Sequence, residues 1–177
     1  MGLGSGASCA ITLNTVLTAE QQALYQDPDC IRDILDRTKT IAIVGLSAER
    51  QKASYFVATY LKREGYRVIP VNPRGGTILG ETVYPDLLNI PESVDLVDVF
   101  RPAADVPAIV DQAIAIKAKG LWTQLRIVNF EAAEKARAAG LSVVMDKCIK
   151  MEHGRFSGSL HWAGMNTEVI SARRAKR

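Results

Sequence analysis

A short apolar run, Ile41 to Val44, ends at Gly45 and Leu46 and passes into a polar stretch from Ser47 to Ser54 that carries Arg50 and Lys52. Glycine at that point lets a strand turn tightly. A polar stretch entering a helix then offers free backbone N–H groups and a positive dipole end to an anion. The chemistry is phosphate binding. A second set, Asn72, Pro73 and Arg74, ends the next apolar run, Arg67 to Val71. An NAD site wants Asp or Glu there to hold the ribose hydroxyls. A cation suits a ribose that itself bears a phosphate, which leaves two ligands open: NADP, with a 2′-phosphate, and coenzyme A, with a 3′-phosphate. The G-x-G-x-x-G fingerprint is incomplete, because Ser47 and Arg50 stand where its second and third glycines belong.

These residues need a βαβ unit to position them. Ile41 to Val44 reads as a strand of a buried parallel sheet. Phe56, Val57, Tyr60 and Leu61 recur at helical spacing, and Gly65 suits the residue just past that helix's end. Upstream, Asp27-Pro28 forms an N-cap with proline at N1, and Ile31, Ile34 and Leu35 give a helical stripe to about Arg37. Downstream, Gly80 to Tyr84 reads as a short strand or turn, and Pro85 to Ile90 as a brief helical turn. Three further strands are expected at Val94 to Phe100, Leu121 to Leu125 and Leu141 to Met145. Between them lie a helix from Arg101-Pro102 to about Lys119 and one over Phe130 to Ala139, capped by Asn129 and closed by Gly140.

Five strands alternating with helices predict one α/β domain, a doubly wound, Rossmann-like parallel sheet with right-handed crossovers. Ligands of such sheets lie beyond the carboxyl ends of the strands. Those ends bring together Gly45-Leu46-Ser47, Asn72-Pro73-Arg74, Phe100-Arg101-Pro102, Gln124-Leu125-Arg126 and Asp146-Lys147-Cys148. The expected division is an arm, or an early short helix, over residues 1–26, the nucleotide-binding domain over 27–150 and a C-terminal extension over 151–177.

A chain of 177 residues, 47% hydrophobic and 23% charged, fits one globular domain with extensions. A formal charge of +3 is too small to imply nucleic acid. The basic residues Arg173, Arg174, Lys176 and Arg177 read as a solvated tail. No apolar run reaches the ~20 residues that cross a bilayer. The start has neither a secretory pattern nor, with Gly6 at the sixth position, a myristoylation pattern. Cys9, Cys30 and Cys148, odd in number and widely spaced, form no disulfide framework or zinc pattern and point to a reducing cytoplasm.

Several longer strings resemble the small CoA-binding proteins, and with them the N-terminal CoA-binding domain of the succinyl-CoA synthetase α subunit and of ADP-forming acyl-CoA synthetases. They are IAIVGLSAERQKASYFVATYL, GYRVIPVNPRGGTILGETVYPDLLNIP, VDLVDVFRPAADVPAIV, LWTQLRIVN and AGLSVVMDKCIKMEH, with LHWAGMNTEVISARR as a C-terminal extension. VIPVNP followed by LGETVYPDL is the most specific part, and Asp27 to Arg174 is covered. Arg126 departs from the pattern, standing where members more often carry glycine, on the pantetheine side of the pocket. The resemblance implies coenzyme A or an acyl-CoA as ligand. Gly45 to Ser54 would meet the pyrophosphate, with Ser47 and Lys52 in direct contact. Asn72, Pro73 and Arg74 would flank the 3′-phospho-ADP part, and Phe100, Arg101 and Pro102 would line the wall. Arg50, Lys52, Arg74 and Arg101 would then converge on one sheet edge, where charge-assisted bonds to phosphate contribute about 1.5–3 kcal/mol each.

Candidates for catalysis are few. The synthetases of this resemblance use a phosphorylated histidine on a separate domain and a nucleotide-grasp subunit. This chain holds two histidines, His153 and His161, both after the last strand and at no zinc-ligand spacing; a surface or packing role is the expectation for both, with a phosphocarrier as the alternative. Cys148 lies between Lys147 and Ile149 at the ligand edge, where a nearby cation would favour its thiolate. A small buried residue is the simpler expectation. Asp95, Asp98 and Asp146 are candidate acid/base groups by type, and for Asp95 and Asp98, on or near a buried strand, a capping or hydrogen-bonded role is the expectation. Trp122, Trp162 and Tyr84 are read as core aromatics, and Phe100 as a ligand-wall residue. The expectation is a binding module, with a protein partner or a second copy left open. An NADP-dependent oxidoreductase stands against it, although no Tyr-x-x-x-Lys is present. An acyl-CoA-handling enzyme using Cys148 is a third reading.

Overall fold

The computed structural model describes residues 15–156; Cys9, His161, Trp162 and the basic C-terminal residues lie outside them. Each element follows from a local signal. Helix α1 (Ala19–Tyr25) starts at a capping box in which Thr18 and Gln21 satisfy each other's backbone N–H groups. Helix α2 (Pro28–Arg37) has the expected Asp27 cap, whose carboxylate accepts from the Cys30 N–H at 2.8 Å. Strand β1 (Thr40–Val44), helix α3 (Ala53–Arg63) and strand β2 (Arg67–Val71) form the βαβ unit. Gly65, at φ +97°, closes α3, with the Gly65 and Tyr66 N–H groups donating to the Lys62 and Leu61 carbonyls. A small hairpin, β3 (Thr77–Ile78) and β4 (Glu81–Thr82), leads through a 3₁₀ turn at Leu87–Asn89 to β5 (Leu96–Val99). Helix α4 (Val106–Ala115), strand β6 (Gly120–Thr123), helix α5 (Phe130–Ala138), strand β7 (Ser142–Val144) and helix α6 (Ile149–Phe156) follow.

The five long strands form one parallel sheet in the order β2-β1-β5-β6-β7. One face carries Val97, Val99 and Leu121 against α1, α4 and α5, through side chains such as Leu17, Tyr25, Val110 and Ala136. The other carries Ile41, Ile43, Leu96 and Trp122 against α2, α3 and α6, through Ile31, Leu35, Val57, Leu61 and Ile149. The sheet is therefore doubly wound, as expected.

Two local expectations need correction, and one helix was not foreseen. Helix α4 stops at Ala115, not near Lys119. Lys117 takes the left-handed conformation (φ +58°), and the Lys117 and Ala118 N–H groups close the helix on Ile114 and Ala113. No glycine marks this stop. Phe56 is 58% exposed, although its spacing placed it on the core face. Helix α6 had no forecast; its register turns Glu152, His153 and Arg155 inward. The described part of the expected arm packs on the domain: the Asp146 carboxylate accepts from Thr15 Oγ1 and the Val16 N–H, both at 2.7 Å. Packing likewise continues past residue 150, since α6 lies against α2 and α3.

Asp95 ties down the amino edge of the sheet. Its carboxylate accepts from the Lys39 and Thr40 N–H groups, both at 3.0 Å, and from Lys119 Nζ at 2.8 Å. Burial works against its charge, but the Lys119 ammonium and the two N–H groups outweigh it and hold the carboxyl below its ordinary range. A depressed carboxyl contributes stability that is present above the unfolded value, about 3.9, and is lost as pH falls through the folded one. Asp95→Asn is expected to cost roughly 1.5–3 kcal/mol at neutral pH. In urea titrations its gap to wild type should shrink as pH drops below about 4; a gap independent of pH would contradict the charge-based account.

Candidate functional site

The strand order reverses beside β1: the chain leaves β1 for β2 on one side and returns to β5 on the other. Loops beyond β1 and β5 therefore diverge, and a crevice opens at their carboxyl ends. Gly45 sits at its floor with φ +89°. A Cβ there would lie 3.0 Å from the Phe100 carbonyl oxygen and 3.0 Å from Arg101 Cδ. The turn thus needs glycine both for its backbone and for the close approach of the β5 loop. The Gly45 N–H donates to Val71 O and the Phe100 N–H to Val44 O, each at 2.9 Å. All three strand ends are in this way locked to one another.

From Gly45 the chain runs into α3, whose N-cap position is Lys52. No side chain caps this helix and no acidic residue lies in its first turn. The Tyr55 N–H closes on the Lys52 carbonyl at 3.0 Å, and the N–H groups ahead of it are left to an external acceptor. The loop before it is held from inside: buried Ser54 accepts from the Ser47 N–H at 3.1 Å, and Ser47 Oγ accepts from the Glu49 N–H at 3.1 Å. Arg50 and Lys52 are exposed, with Lys52 Nζ 4.0 Å from a Glu49 carboxylate oxygen. Such a solvated pair holds its partners weakly. At the end of β2, Asn72 bridges the two loops. Its Nδ2 donates to Leu46 O at 3.0 Å, and its Oδ1 accepts from the Arg74 N–H at 3.0 Å. Pro73 and Arg74 are exposed. Beyond β5, Phe100 is half-buried against the α2/α3/α6 core, and Arg101 crosses Gly45 while paired with Asp105 at 2.8 Å. Pro102 begins the 3₁₀ turn at Ala103–Asp105.

Eleven of the twelve nominated residues thus lie on three adjoining loops at one sheet edge and Ser54 lies beside them in the first turn of α3, but two face differently from their nomination. The Leu46 side chain is wholly buried in the core, and only its carbonyl faces the loops. Ser54 turns inward to brace Ser47. Asn72 has a bracing role that the sequence did not reveal, since its partner lies 26 positions away.

The remaining candidates separate clearly. His153 Nδ1 is 2.9 Å from Tyr60 Oη, and its ring meets the Tyr60 and Tyr66 rings edge-on. Burial holds the imidazole below its ordinary range, against the pull of Glu64 and Asp36. It is a packing residue. Asp146 clamps backbone, taking the Arg126 N–H at 2.6 Å as well as its N-terminal partners. Arg126 adopts φ +67°, which accounts for the glycine expected there. Trp122 is fully buried and donates to Lys147 O at 2.7 Å. Cys148 is half-buried, in line with the simpler expectation, and burial pushes its thiol up, although the Met151 and Lys150 N–H groups favour the thiolate. Asp98 is completely buried, and burial raises it to about 7 despite a hydrogen bond from Gln124. Among the described residues no His/Cys/Asp/Glu group is arranged to hold a metal ion.

Residues 39–154 match the family model described as a CoA binding domain. The chain belongs to that CoA-binding domain family. The uncharacterized protein YneT of Bacillus subtilis is 37% identical over 123 residues, spanning 70% of this chain and 91% of YneT. ADP-forming acetate–CoA ligase II of Archaeoglobus fulgidus is 33% identical over 98 residues, or 54% of this chain; that match spans only 14% of the ligase. A hypothetical protein from Pyrococcus horikoshii OT3 superposes with a TM-score of 0.71 at 40% identity, covering 73% of this chain and 91% of that one. The resemblance to ADP-forming CoA ligases is therefore borne out, and so is the single-domain α/β fold. No helix among the described residues is long and apolar enough to cross a membrane.

The crevice floor can be probed by filling it. Gly45→Ala forces a left-handed backbone on alanine and drives its Cβ against the Phe100 carbonyl. A loss of roughly 1–3 kcal/mol is expected in thermal or urea unfolding. A variant as stable as wild type would show that the two loops do not meet as described.

Proposed function

We propose that this chain binds coenzyme A or an acyl-CoA at the carboxyl edge of its sheet, as a binding module with no catalytic step of its own. One observation carries the reading: the exposed Arg74 at the end of β2 shares an edge with the uncapped N-terminus of α3. The helix end and the Ser47–Lys52 loop suit a pyrophosphate, and Arg74 suits the additional ribose phosphate that coenzyme A carries. Gly45 lets the β5 loop close onto the turn, and Phe100 offers an apolar wall. Membership of a CoA-binding family, and an A. fulgidus relative named for its CoA ligation, support the choice over NADP. Two observations support the non-catalytic reading. His153 is enclosed by Tyr60 and Tyr66 rather than open to a ligand. Asp95 and Asp146 are committed to backbone N–H groups. A reducing cytoplasm fits such a ligand.

Calorimetric titration of ligand-stripped protein with coenzyme A, dephospho-coenzyme A and NADPH tests the proposal. Coenzyme A is expected to bind, dephospho-coenzyme A more weakly, and NADPH not at all; heat from NADPH alone would overturn the reading. Arg74→Glu should weaken coenzyme A about tenfold or more, and dephospho-coenzyme A much less, because the substitution acts on the 3′-phosphate. Equal losses for both ligands would place the 3′-phosphate elsewhere. Ser47→Trp should weaken both alike by closing the pyrophosphate turn, and unchanged affinity would remove that loop from the contact.

A further inference from the structure

Helix α3 turns toward solvent a face that neither the core nor the crevice uses. Val57, Ala58 and Leu61 form its buried stripe. Tyr55, Phe56 and Tyr60 instead line an open groove of about 490 Å³, together with Thr59. From Tyr55 to Arg63 the groove follows α3 for about 12 Å, at about 1.5 Å per residue. The Phe56 ring is 58% exposed, which gains the fold nothing. Thr59 Oγ1 donates to Tyr55 O at 2.8 Å, and Tyr60 Oη lies 2.9 Å from His153 Nδ1, so both hydroxyls are engaged inside the fold. The remaining lining is cationic: Arg50 ahead of the helix, Arg63 in its last turn, and Lys150 on α6, whose Nζ is 5.7 Å from the Tyr60 ring centre. No carboxylate lines the groove. Lys52 and Lys62, at the two ends of the same helix, pair with Glu49 and Glu81. Arg50, Arg63 and Lys150 form no ion pair among the described residues.

We infer that this groove docks a partner protein through an acidic segment that carries apolar side chains at helical spacing. Exposed aromatic rings and arginines without carboxylates are the composition of a binding surface's centre. Rings of this size supply pockets for apolar anchors, and the surrounding cations select a segment rich in Asp and Glu. About two helical turns span the groove, which suits anchors at i, i+3 or i+4, and i+7. Charge and shape set the other occupants aside. A second copy docked through the same groove would place cations against cations. The chain's own basic residues Arg173, Arg174, Lys176 and Arg177 would meet like charge in the same way. A small ligand needs most of its surface enclosed, whereas this groove leaves Phe56 largely open. Arg50 also belongs to the loop before α3, which sets the partner at the margin of the crevice.

The probe is a labelled helical peptide of about 16 residues, with leucine at i, i+3, i+4 and i+7 and glutamate elsewhere. Its counterparts carry lysine for glutamate, or the same residues scrambled. Fluorescence anisotropy with the full chain is expected to show binding of the acidic peptide about tenfold or more tighter than of either counterpart. Phe56→Ser and Arg63→Glu, both at exposed positions, should each weaken it about fivefold or more, and Lys117→Glu, an exposed cation outside the groove, should leave it unchanged. Amide shifts in nitrogen-15 spectra should fall on Tyr55 to Arg63 and around Lys150. Silence of the acidic peptide at about millimolar concentration, equal binding of the lysine peptide, or shifts centred elsewhere would each overturn the inference. So would binding to phosphatidylserine vesicles with the peptide silent, which would make this face a membrane contact. Coenzyme A calorimetry on Phe56→Ser separates this surface from the crevice. Unchanged heat is expected, and a lost coenzyme A signal would assign the groove to that ligand and overturn the docking site alone.

Discussion

The meeting of β1 with β2 on one side and β5 on the other is the constraint on which the rest of this molecule depends. Hydrogen bonds from Gly45 to Val71 and from Phe100 to Val44 hold three strand ends level. The crossovers nevertheless depart to opposite sides of β1, so the loops above those ends must separate. The crevice follows from the strand order and needs no special side chain to open it. What it does need is a residue without a Cβ at its floor, because the β5 loop passes 3.0 Å from where one would be. Asn72 then fixes the height of the wall by reaching from β2 back to the Leu46 carbonyl.

Charge is distributed in keeping with that crevice. The carboxylates most heavily used within the fold, Asp95 and Asp146, are spent on backbone N–H groups of neighbouring segments. Glu81 is likewise committed, to Lys62 and Arg67 beside the small hairpin. Arg50, Lys52 and Arg74 stay exposed on the loops. Arg101 is tied to Asp105, which steers it across Gly45 and makes it part of the crevice wall. Asp98 breaks the pattern, being buried with one oxygen unused.

The fold was legible because its signals are local. Asp27-Pro28, Asn129 and the glycines at 65 and 140 mark helix ends through chemistry that acts within a few residues. Apolar runs marked the strands to within a residue or two. The end of α4 was not legible, since Lys117 adopts a left-handed conformation that a sequence pattern assigns to glycine or asparagine. The inward face of α6 was hidden for a different reason. Glu152 and Arg155 are polar, yet they are buried as an ion pair at 2.5 Å, and no periodicity of apolar residues announces that. At the site, position along the chain was readable and side-chain direction was not. Leu46 was placed on the correct loop and Ser54 next to it, in the first turn of α3, but both face inward, toward the core and the Ser47 N–H respectively.

Helix capping sharpens the assignment of the loop before α3. Three helices of this chain begin with a side chain that satisfies a leading N–H group: Thr18 for α1, Asp27 for α2 and Asn129 for α5. Helix α4 lacks such a cap, but it emerges directly from a 3₁₀ turn, and Asp105 at its start is drawn to Arg101. Helix α3 has neither excuse. It follows an irregular loop, it is eleven residues long, and its N-cap position holds a lysine, whose charge opposes the helix dipole. A cap residue in place of lysine contributes about 1 kcal/mol, so Lys52 is a stabilising option left unused. An anion bound at this helix end would reverse both penalties at once, accepting from the N–H groups and pairing with the ammonium.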